Sequence, residues 1–140
     1  MTTLLGLGIT PTDREQLLRG LHEGKYNLLL GAGASYGCKG GDGVELKDGA
    51  TLSQQIAKDF DLKLNSDEAK KLPLTYEEAE SVNKAGLQNW LRARFMGCTP
   101  TWQKVIFRIQ WERIWTFNID DVLTNAFELD KDKNIFLDVA

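Results

Sequence analysis

Three leucines run directly into a glycine-rich turn in the stretch "NLLLGAGASYG", residues 27–37. Residues 26–30 form an apolar run without polar alternation, which is typical of a central parallel strand covered on both faces. Gly31 and Gly33 follow at once, so the chain can turn sharply or approach another group closely there. Two interpretations stay open at this point. The turn either receives a phosphate group after a strand, or its glycines only let a helix pack closely on that strand.

A second strand and turn occur in "RIWTFNIDDVLTNAFEL", residues 113–129. Residues 114–117 are β-branched and aromatic, which favours a strand that stops at Asn118. Asp120 or Asp121 then begins a helix. The apolar residues of this helix are Val122, Leu123, Ala126 and Phe127. Strand, polar turn and helix therefore form a unit in this part of the chain.

Helices are also predicted before and after the first strand. The first helix has Thr10 or Thr12 as its cap and Gly24 as its stop. A second helix is predicted to have Thr51 as its cap, and one of its faces is apolar. The residues of that face are Leu52, Ile56 and Phe60. Between strand and helix, residues 37–50 are rich in glycine, which predicts a loop that is either shaped for a purpose or mobile.

Two more helical segments precede the second strand. Residues 75–95 begin with acidic side chains and end with Arg92 and Arg94, which agrees with the helix dipole at both ends. Residues 99–111 open with Thr-Pro-Thr, a pattern typical of a helix start. The residues predicted to share one stripe of this last helix are Trp102, Ile106 and Ile109.

Strands separated by helices predict an α/β domain with a Rossmann-like parallel sheet flanked by helices. The length of 140 residues suits one domain, which we assign to residues 1–140. Residues 134–140, "NIFLDVA", are predicted as a third strand that no helix follows. We therefore expect an incomplete sheet and interpret the chain as the N-terminal part of a larger fold.

The charge and the apolar pattern exclude some partners. A net charge of −3, from 17 basic and 20 acidic residues, gives no basic surface of the kind that nucleic acids or anionic membranes attract. No apolar run approaches the roughly 20 residues that span a bilayer. Residues 1–12 lack the basic start of a secretory signal. We expect a cytoplasmic protein that binds neither nucleic acid nor membrane.

The cysteines and the single histidine give no metal signature. Cys38 and Cys98 form no Cys-x-x-Cys pair, and no second histidine accompanies His22. This spacing predicts two reduced, structural thiols rather than a zinc site or a disulfide framework. His22 is expected at the surface, near the end of the first helix.

The polar residues after the second strand are expected at the same sheet edge as the glycine turn, because ligands bind at the carboxyl ends of parallel strands. Asn118 can donate and accept hydrogen bonds, and the carboxylate of Asp120 can accept them. The alternative is that either residue only caps the next helix. The glycine spacing differs from the common GxGxxG pattern, since its third glycine would fall at Tyr36 and Gly37 is one place late.

Taken together, "GAGAS" and "TFNIDD" resemble the sirtuin family, whose NAD-binding domain carries a Gly-Ala-Gly-x-Ser turn and a Thr-x-Asn-x-Asp strand end. The resemblance extends over residues 26–127, and its specific residues are these two patches. The similarity is greatest to sirtuin-like domains at the front of bacterial antiphage defence proteins, which lack the sirtuin zinc module. The absence of cysteine pairs agrees with that branch.

The resemblance implies a site for NAD, which is the substrate, and no metal. Sirtuins cleave the nicotinamide–ribose bond, and the defence branch does so with water and depletes the cell of NAD. Asn118 would face the nicotinamide ribose and Asp120 the carboxamide, as the catalytic pair. The implied NAD-binding residues are Gly31, Ala32, Gly33, Ala34, Ser35, Thr116, Asn118 and Asp120. The implied protein is an oligomeric NAD+ glycohydrolase that carries further domains.

Two departures from the sirtuin pattern bear on activity. The catalytic histidine of sirtuins lies further along the chain, whereas His22 precedes the first strand, so this chain alone is not expected to turn over NAD. The sirtuin Pro-Asp-Phe-Arg stretch is replaced by "GDGVELKDGA", which argues against a deacylase substrate channel.

Two other functions stay open: an NAD-dependent protein deacylase, and a nucleotide-sensing or protein-interaction module without catalysis. The tryptophans would form a partner-binding face in the latter function and core contacts otherwise. They are Trp90, Trp102, Trp111 and Trp115.

Overall fold

The computed structural model describes residues 8–129, so the predicted strand at 134–140 lies outside the described part of the chain. The order of elements is mixed α/β. The helices and strands are α1 (Pro11–His22), β1 (Asn27–Leu30), α2 (Gly49–Asp59), α3 (Leu72–Phe95), β2 (Arg113–Thr116) and α4 (Val122–Leu129). Short 3-10 helices are Ala32–Ser35, Glu68–Lys70 and Gln103–Arg108.

β1 and β2 pair in parallel, with Asn27 opposite Arg113 and Leu30 opposite Thr116. One face of this pair packs on a core formed by the 3-10 helix Gln103–Arg108 and α4. The other face is open within residues 8–129. On that face Leu29 is 63% exposed. The predicted parallel sheet is therefore present as two strands, whereas the predicted cover on both faces and a full Rossmann-like sheet are not found in the described residues.

α1 begins as the sequence predicts. The Thr10 hydroxyl accepts a hydrogen bond from the Asp13 N–H at 3.2 Å, and the Asp13 carboxylate accepts from the Thr10 N–H at 2.9 Å. This reciprocal pair is a capping box. Of the two predicted caps, Thr10 is the one used. After the helix, Gly24 adopts a φ of +63°, a conformation that glycine reaches without strain.

The cap predicted for α2 is wrong. Asp48 rather than Thr51 is the cap, because its carboxylate accepts from the Thr51 N–H at 2.8 Å and the helix begins at Gly49. The apolar face is confirmed, since Ile56 is fully buried against Leu87 of α3. Leu52 and Phe60 pack against the same cluster.

α3 begins before the predicted start and contains a kink. Asn83 has non-helical φ and ψ of −157° and 83°, and its side-chain oxygen accepts from the Gly86 N–H at 2.9 Å. That contact is the one an N-cap makes, so Asn83 starts a second helical segment within α3. The predicted segment 75–95 thus consists of two helical pieces.

The stripe predicted in residues 99–111 is wrong because the helix there is of the 3-10 type. Gln103–Arg108 has about three residues per turn, so Trp102 and Ile106, four positions apart, do not share a face, and Ile109 lies just beyond the end of the helix. Ile106 and Phe107 are buried, whereas Trp102 is 49% exposed and Ile109 is 37% exposed.

The glycine-rich loop is shaped by packing. A Cβ at Gly41 would lie 1.8 Å from the Met96 carbonyl oxygen, and one at Gly40 would lie 2.4 Å from that of Arg94. The buried Arg94 guanidinium donates to Asp42 at 2.6 Å across the same contact. The loop therefore rests closely on the C-terminal end of α3, and these two glycines allow the approach.

The tryptophans do not share one environment. Trp90 and Trp111 are partly buried and pack against core clusters. Trp102 and Trp115 are 49% and 54% exposed. The interpretation of all four as core residues is therefore wrong for the last two.

None of the helices in the described part of the chain has the length and hydrophobicity that crossing a bilayer requires.

Candidate functional site

The two turns lie side by side because the strands before them are paired in parallel. The 3-10 helix Ala32–Ser35 follows β1, and residues 117–121 follow β2. The Phe117 N–H donates to the Leu30 carbonyl at 3.2 Å, which extends the pairing past the end of β2. The glycine turn and the Asn-x-Asp turn thus occupy the same edge, as expected for parallel strands.

Ser35 joins the two turns. Its hydroxyl donates to Asp120 Oδ1 at 2.8 Å and accepts from Asn118 Nδ2 at 2.9 Å. Both distances are those of well-formed hydrogen bonds. Ser35 is 2% exposed, and it lies 83 and 85 positions before its two partners. Three of the predicted site residues are therefore in direct contact.

The hydrogen bonds of this group have one direction. Asn118 donates to Ser35, and Ser35 donates to the Asp120 carboxylate. Asp120 Oδ1 also accepts from the Val122 N–H at 3.1 Å, so this carboxylate caps α4 as well. The capping interpretation is correct for Asp120, and it holds together with the contact to Ser35.

Asn118 keeps an acceptor free. Its Nδ2 donates to Ser35, but its Oδ1 is buried and has no hydrogen-bond partner within the described residues. Buried polar atoms are nearly always paired, and leaving one unpaired costs about 1–3 kcal/mol. Only a group that donates a hydrogen bond, such as a hydroxyl, an amide or a water molecule, would satisfy this atom.

Packing within residues 8–129 does not explain the glycines of the turn. A Cβ placed at Gly31 or Gly33 would meet no atom within 4 Å. Gly31 has a φ of −112°, and neither residue adopts a positive φ. Neither a neighbouring helix nor the backbone conformation therefore requires glycine here, and the surface of the turn is open to close approach from outside.

The turn also presents free N–H groups. The first N–H groups of a helix have no partner within it, and no acceptor in residues 8–129 receives those of Ala32 and Gly33. Both residues are exposed. At the other end of the site, the Thr116 hydroxyl accepts from the Asn118 N–H at 3.1 Å, which holds the strand end.

Gln103 belongs to this site although no sequence pattern singled it out. It is fully buried, and its Nε2 donates to the Ala34 carbonyl at 2.7 Å and lies 3.1 Å from Cys38 Sγ. Its Oε1 accepts from the Thr101 N–H at 2.8 Å. Its contact with Ala34 spans 69 positions, so a single sequence offers no local signal for it.

Asp121 fixes the second turn to the rest of the molecule. Its carboxylate accepts from the Gly97 N–H at 2.6 Å and from the Cys98 N–H at 2.9 Å. Burial acts to raise the pKa of Asp121, but these hydrogen bonds together outweigh it, and the pKa is lowered. Burial, followed by contact with Asp121, raises the pKa of the Cys98 thiol to about 12.

A lysine and a tyrosine border the glycine turn. The Lys47 ammonium lies 5.4 Å from the centroid of the Tyr36 ring and pairs with Glu45. Tyr36 follows Ser35 directly and is 53% exposed.

His22 ends α1 and is exposed, as expected. Among the described residues, no group of three or more His, Cys, Asp or Glu side chains is placed to hold a metal ion.

No family model matches the chain, and neither the curated proteins nor the solved structures give a significant match.

Proposed function

We propose that the chain is the NAD-binding part of an NAD+ hydrolase that resembles the sirtuin-like domains of antiphage defence proteins. The observation that carries this proposal is the contact of Ser35 with both Asn118 and Asp120 at the shared edge of two parallel strands. The two patches on which the resemblance depends are far apart in sequence. Their contact supports a single site.

The glycine turn suits the diphosphate of NAD. Gly31 and Gly33 leave room for close approach, and the N–H groups of Ala32 and Gly33 are available as donors. Phosphate oxygens accept such hydrogen bonds, and backbone N–H groups at the start of a helical turn commonly bind them. Lys47, beside the Tyr36 ring, carries a positive charge that is paired with Glu45.

Asn118 Oδ1 suits a hydroxyl of the nicotinamide ribose or a water molecule, since it can only accept. Cleavage of the nicotinamide–ribose bond develops positive charge on the ribose carbon. In this proposal Asn118 holds the ribose or the attacking water, and Asp120 orients the network through Ser35. Such groups act by positioning and by electrostatic stabilisation.

The experiment is an NMR titration of NAD+ with the chain. Broadening of the nicotinamide protons reports binding, and new signals of free nicotinamide report cleavage. Asn118→Ala is expected to weaken binding at least tenfold, whereas Asn89→Ala, an exposed asparagine of α3, serves as the matched control with unchanged affinity. Unaltered nicotinamide spectra at millimolar NAD+ would contradict the proposal.

Cleavage is tested on the larger, oligomeric cytoplasmic protein to which we propose the chain belongs. Free nicotinamide is expected from a chain extended at its C-terminus and not from the present one. Full cleavage by an extended Asn118→Ala variant would contradict the role of Asn118. Binding without cleavage in every form would favour a nucleotide-sensing module instead.

A further inference from the structure

We infer that Gln103 is a positioning residue of the candidate site and sets the shape of the glycine turn. The inference about ligand affinity rests on the proposed function, whereas the inference about the turn itself does not. Gln103 is fully buried, so it does not itself face a ligand. It acts through the Ala34 carbonyl.

The turn has few backbone hydrogen bonds that fix it. Its backbone bonds are short-range, from the Ala34 N–H to the Gly31 carbonyl at 2.9 Å and from the Tyr36 N–H to the Gly33 carbonyl at 3.3 Å. A Cβ added at either of its glycines would meet no atom within 4 Å. The Ser35 side chain ties this segment to the second turn, and the amide of Gln103 adds a long-range hydrogen bond to its backbone, at Ala34.

The position of Gln103 is itself fixed from two sides. Its Oε1 accepts from the Thr101 N–H at 2.8 Å, and this contact orients the amide so that Nε2 faces Ala34. Ile106 and Phe107, which lie on the same 3-10 helix, are buried in the core beneath the β1 and β2 pair. The core thus determines where the glycine turn lies.

A change in the Gln103 contact is transmitted through hydrogen bonds of the glycine turn to the polar residues of the second turn. Ala34 precedes Ser35, and the Ser35 hydroxyl meets Asn118 and Asp120. A shift of the Ala34 carbonyl moves Ser35 relative to both partners. Hydrogen bonds weaken steeply once the angle at the hydrogen falls below about 120°, so a displacement of Ser35 weakens the group.

The test compares two variants that each remove one buried hydrogen bond. Gln103→Met has a similar shape and lacks the donor to Ala34. Thr75→Val removes the bond from the Ser53 hydroxyl to Thr75 Oγ1, 2.9 Å long and fully buried between α2 and α3. Both are expected to lower the thermal midpoint. NAD+ affinity is expected to fall about tenfold in Gln103→Met and to stay within twofold in Thr75→Val.

A spectroscopic readout separates positioning from general stability. In the ligand-free protein, the Asn118 side-chain amide resonances are expected to shift in Gln103→Met and to stay in place in Thr75→Val. In the unaltered protein, NAD+ is expected to shift the side-chain amide resonances of the fully buried Gln103. This last measurement needs no variant, so it decides the question even if Gln103→Met does not fold.

Two results would overturn the inference: equal NAD+ affinity of Gln103→Met and the unaltered chain, or Gln103 resonances that stay constant at saturating NAD+. Absence of NAD+ binding by the unaltered chain would contradict the proposed function. In that case the Asn118 amide resonances of the ligand-free Gln103→Met protein still decide whether Gln103 positions the turn, and an unchanged spectrum would refute it.

Discussion

At the scale of residues, a single carboxylate holds the second turn in place. The Asp121 carboxylate accepts from two backbone N–H groups at the end of α3, and these bonds lower its pKa despite burial. A group with a lowered pKa stabilises the folded state above its unfolded pKa, here near 3.8, and loses this effect as the pH falls through the folded value.

Asp121→Asn is expected to lower the free energy of unfolding by about 1–2 kcal/mol at pH 7, because the charged acceptor of two hydrogen bonds is lost. The difference from the unaltered protein should shrink as the pH falls from about 4, where Asp121 of the unfolded chain becomes protonated, through the lower pKa of the folded protein. Urea unfolding at several pH values measures both effects. The exposed Asp67→Asn is the control, and a difference that is constant with pH would contradict the assignment.

Cys98 gives a second prediction at this scale. Because burial and then contact with Asp121 raise its pKa from 9.0 to about 12, the thiol of the folded protein stays protonated at pH 8. The unfolded chain ionises from about pH 9, so this group makes the folded state less stable as the pH rises from there towards 12. Iodoacetamide at pH 8 should label Cys98 in urea and leave it unlabelled in native buffer, as mass spectrometry of peptides would show.

Among the elements, two glycine segments that look alike in sequence have opposite reasons to contain glycine. In the turn after β1, Gly33 has open space where a Cβ would lie. In the loop after it, Gly41 is pressed against the Met96 carbonyl. One segment is open to an external group, and the other is closed against α3.

Gly33→Ala is therefore expected to leave the free energy of unfolding within about 1 kcal/mol and to lower NAD+ affinity at least tenfold. Gly41→Ala is expected to destabilise the protein by about 1–3 kcal/mol, because backbone must move away from the new methyl group. Chemical denaturation and NAD+ titration of both variants separate the two roles. Unfolding of Gly33→Ala at the same denaturant concentration as Gly41→Ala would contradict this distinction.

The elements also show which structural signals are local. β1, β2 and the start of α4 were predicted to within about one residue, and the Thr10 cap was correct, because strand composition, helix periodicity and capping are properties of neighbouring residues. The α2 cap was missed since Asp48 and Thr51 can both cap and the choice depends on where the helix starts. The stripe through Trp102 failed because sequence periodicity does not distinguish a 3-10 helix from an α-helix.

For the candidate site, the sequence predicted which residues lie close together but not how they bond. Parallel strands bring their carboxyl ends to one edge, and this rule places Ser35, Asn118 and Asp120 near each other. It does not give the direction of their hydrogen bonds or the buried acceptor of Asn118. Gln103 was missed altogether, because a polar residue among apolar ones acquires its meaning only from partners that are distant in sequence.

At the scale of the molecule, residues 8–129 form three separate core clusters rather than one. The strands and α4 share the first, the two cysteines pack with Leu46 and Val122 in the second, and α2 and α3 form the third. The candidate site adjoins the first two clusters through Gln103 and Asp121. A ligand at the site is therefore expected to stabilise the chain as a whole.

NAD+ at a hundred times its dissociation constant should raise the free energy of unfolding by about 2.7 kcal/mol. For a chain of this size the thermal midpoint should rise by on the order of 10 °C. Calorimetry with increasing NAD+ measures the shift, and Ser35→Ala should abolish it because the link between the two turns is removed. An equal shift in Ser35→Ala would place NAD+ elsewhere.

The distance along the chain between the two turns also sets a delay during synthesis. Asn118 is made 83 residues after Ser35. At translation rates of about 5–20 residues per second, the glycine turn is without its polar partners for roughly 4–17 s. In the proposed hydrolase, a ribosome-bound chain therefore cannot join the two halves of its NAD site until nearly all of the present sequence has been made.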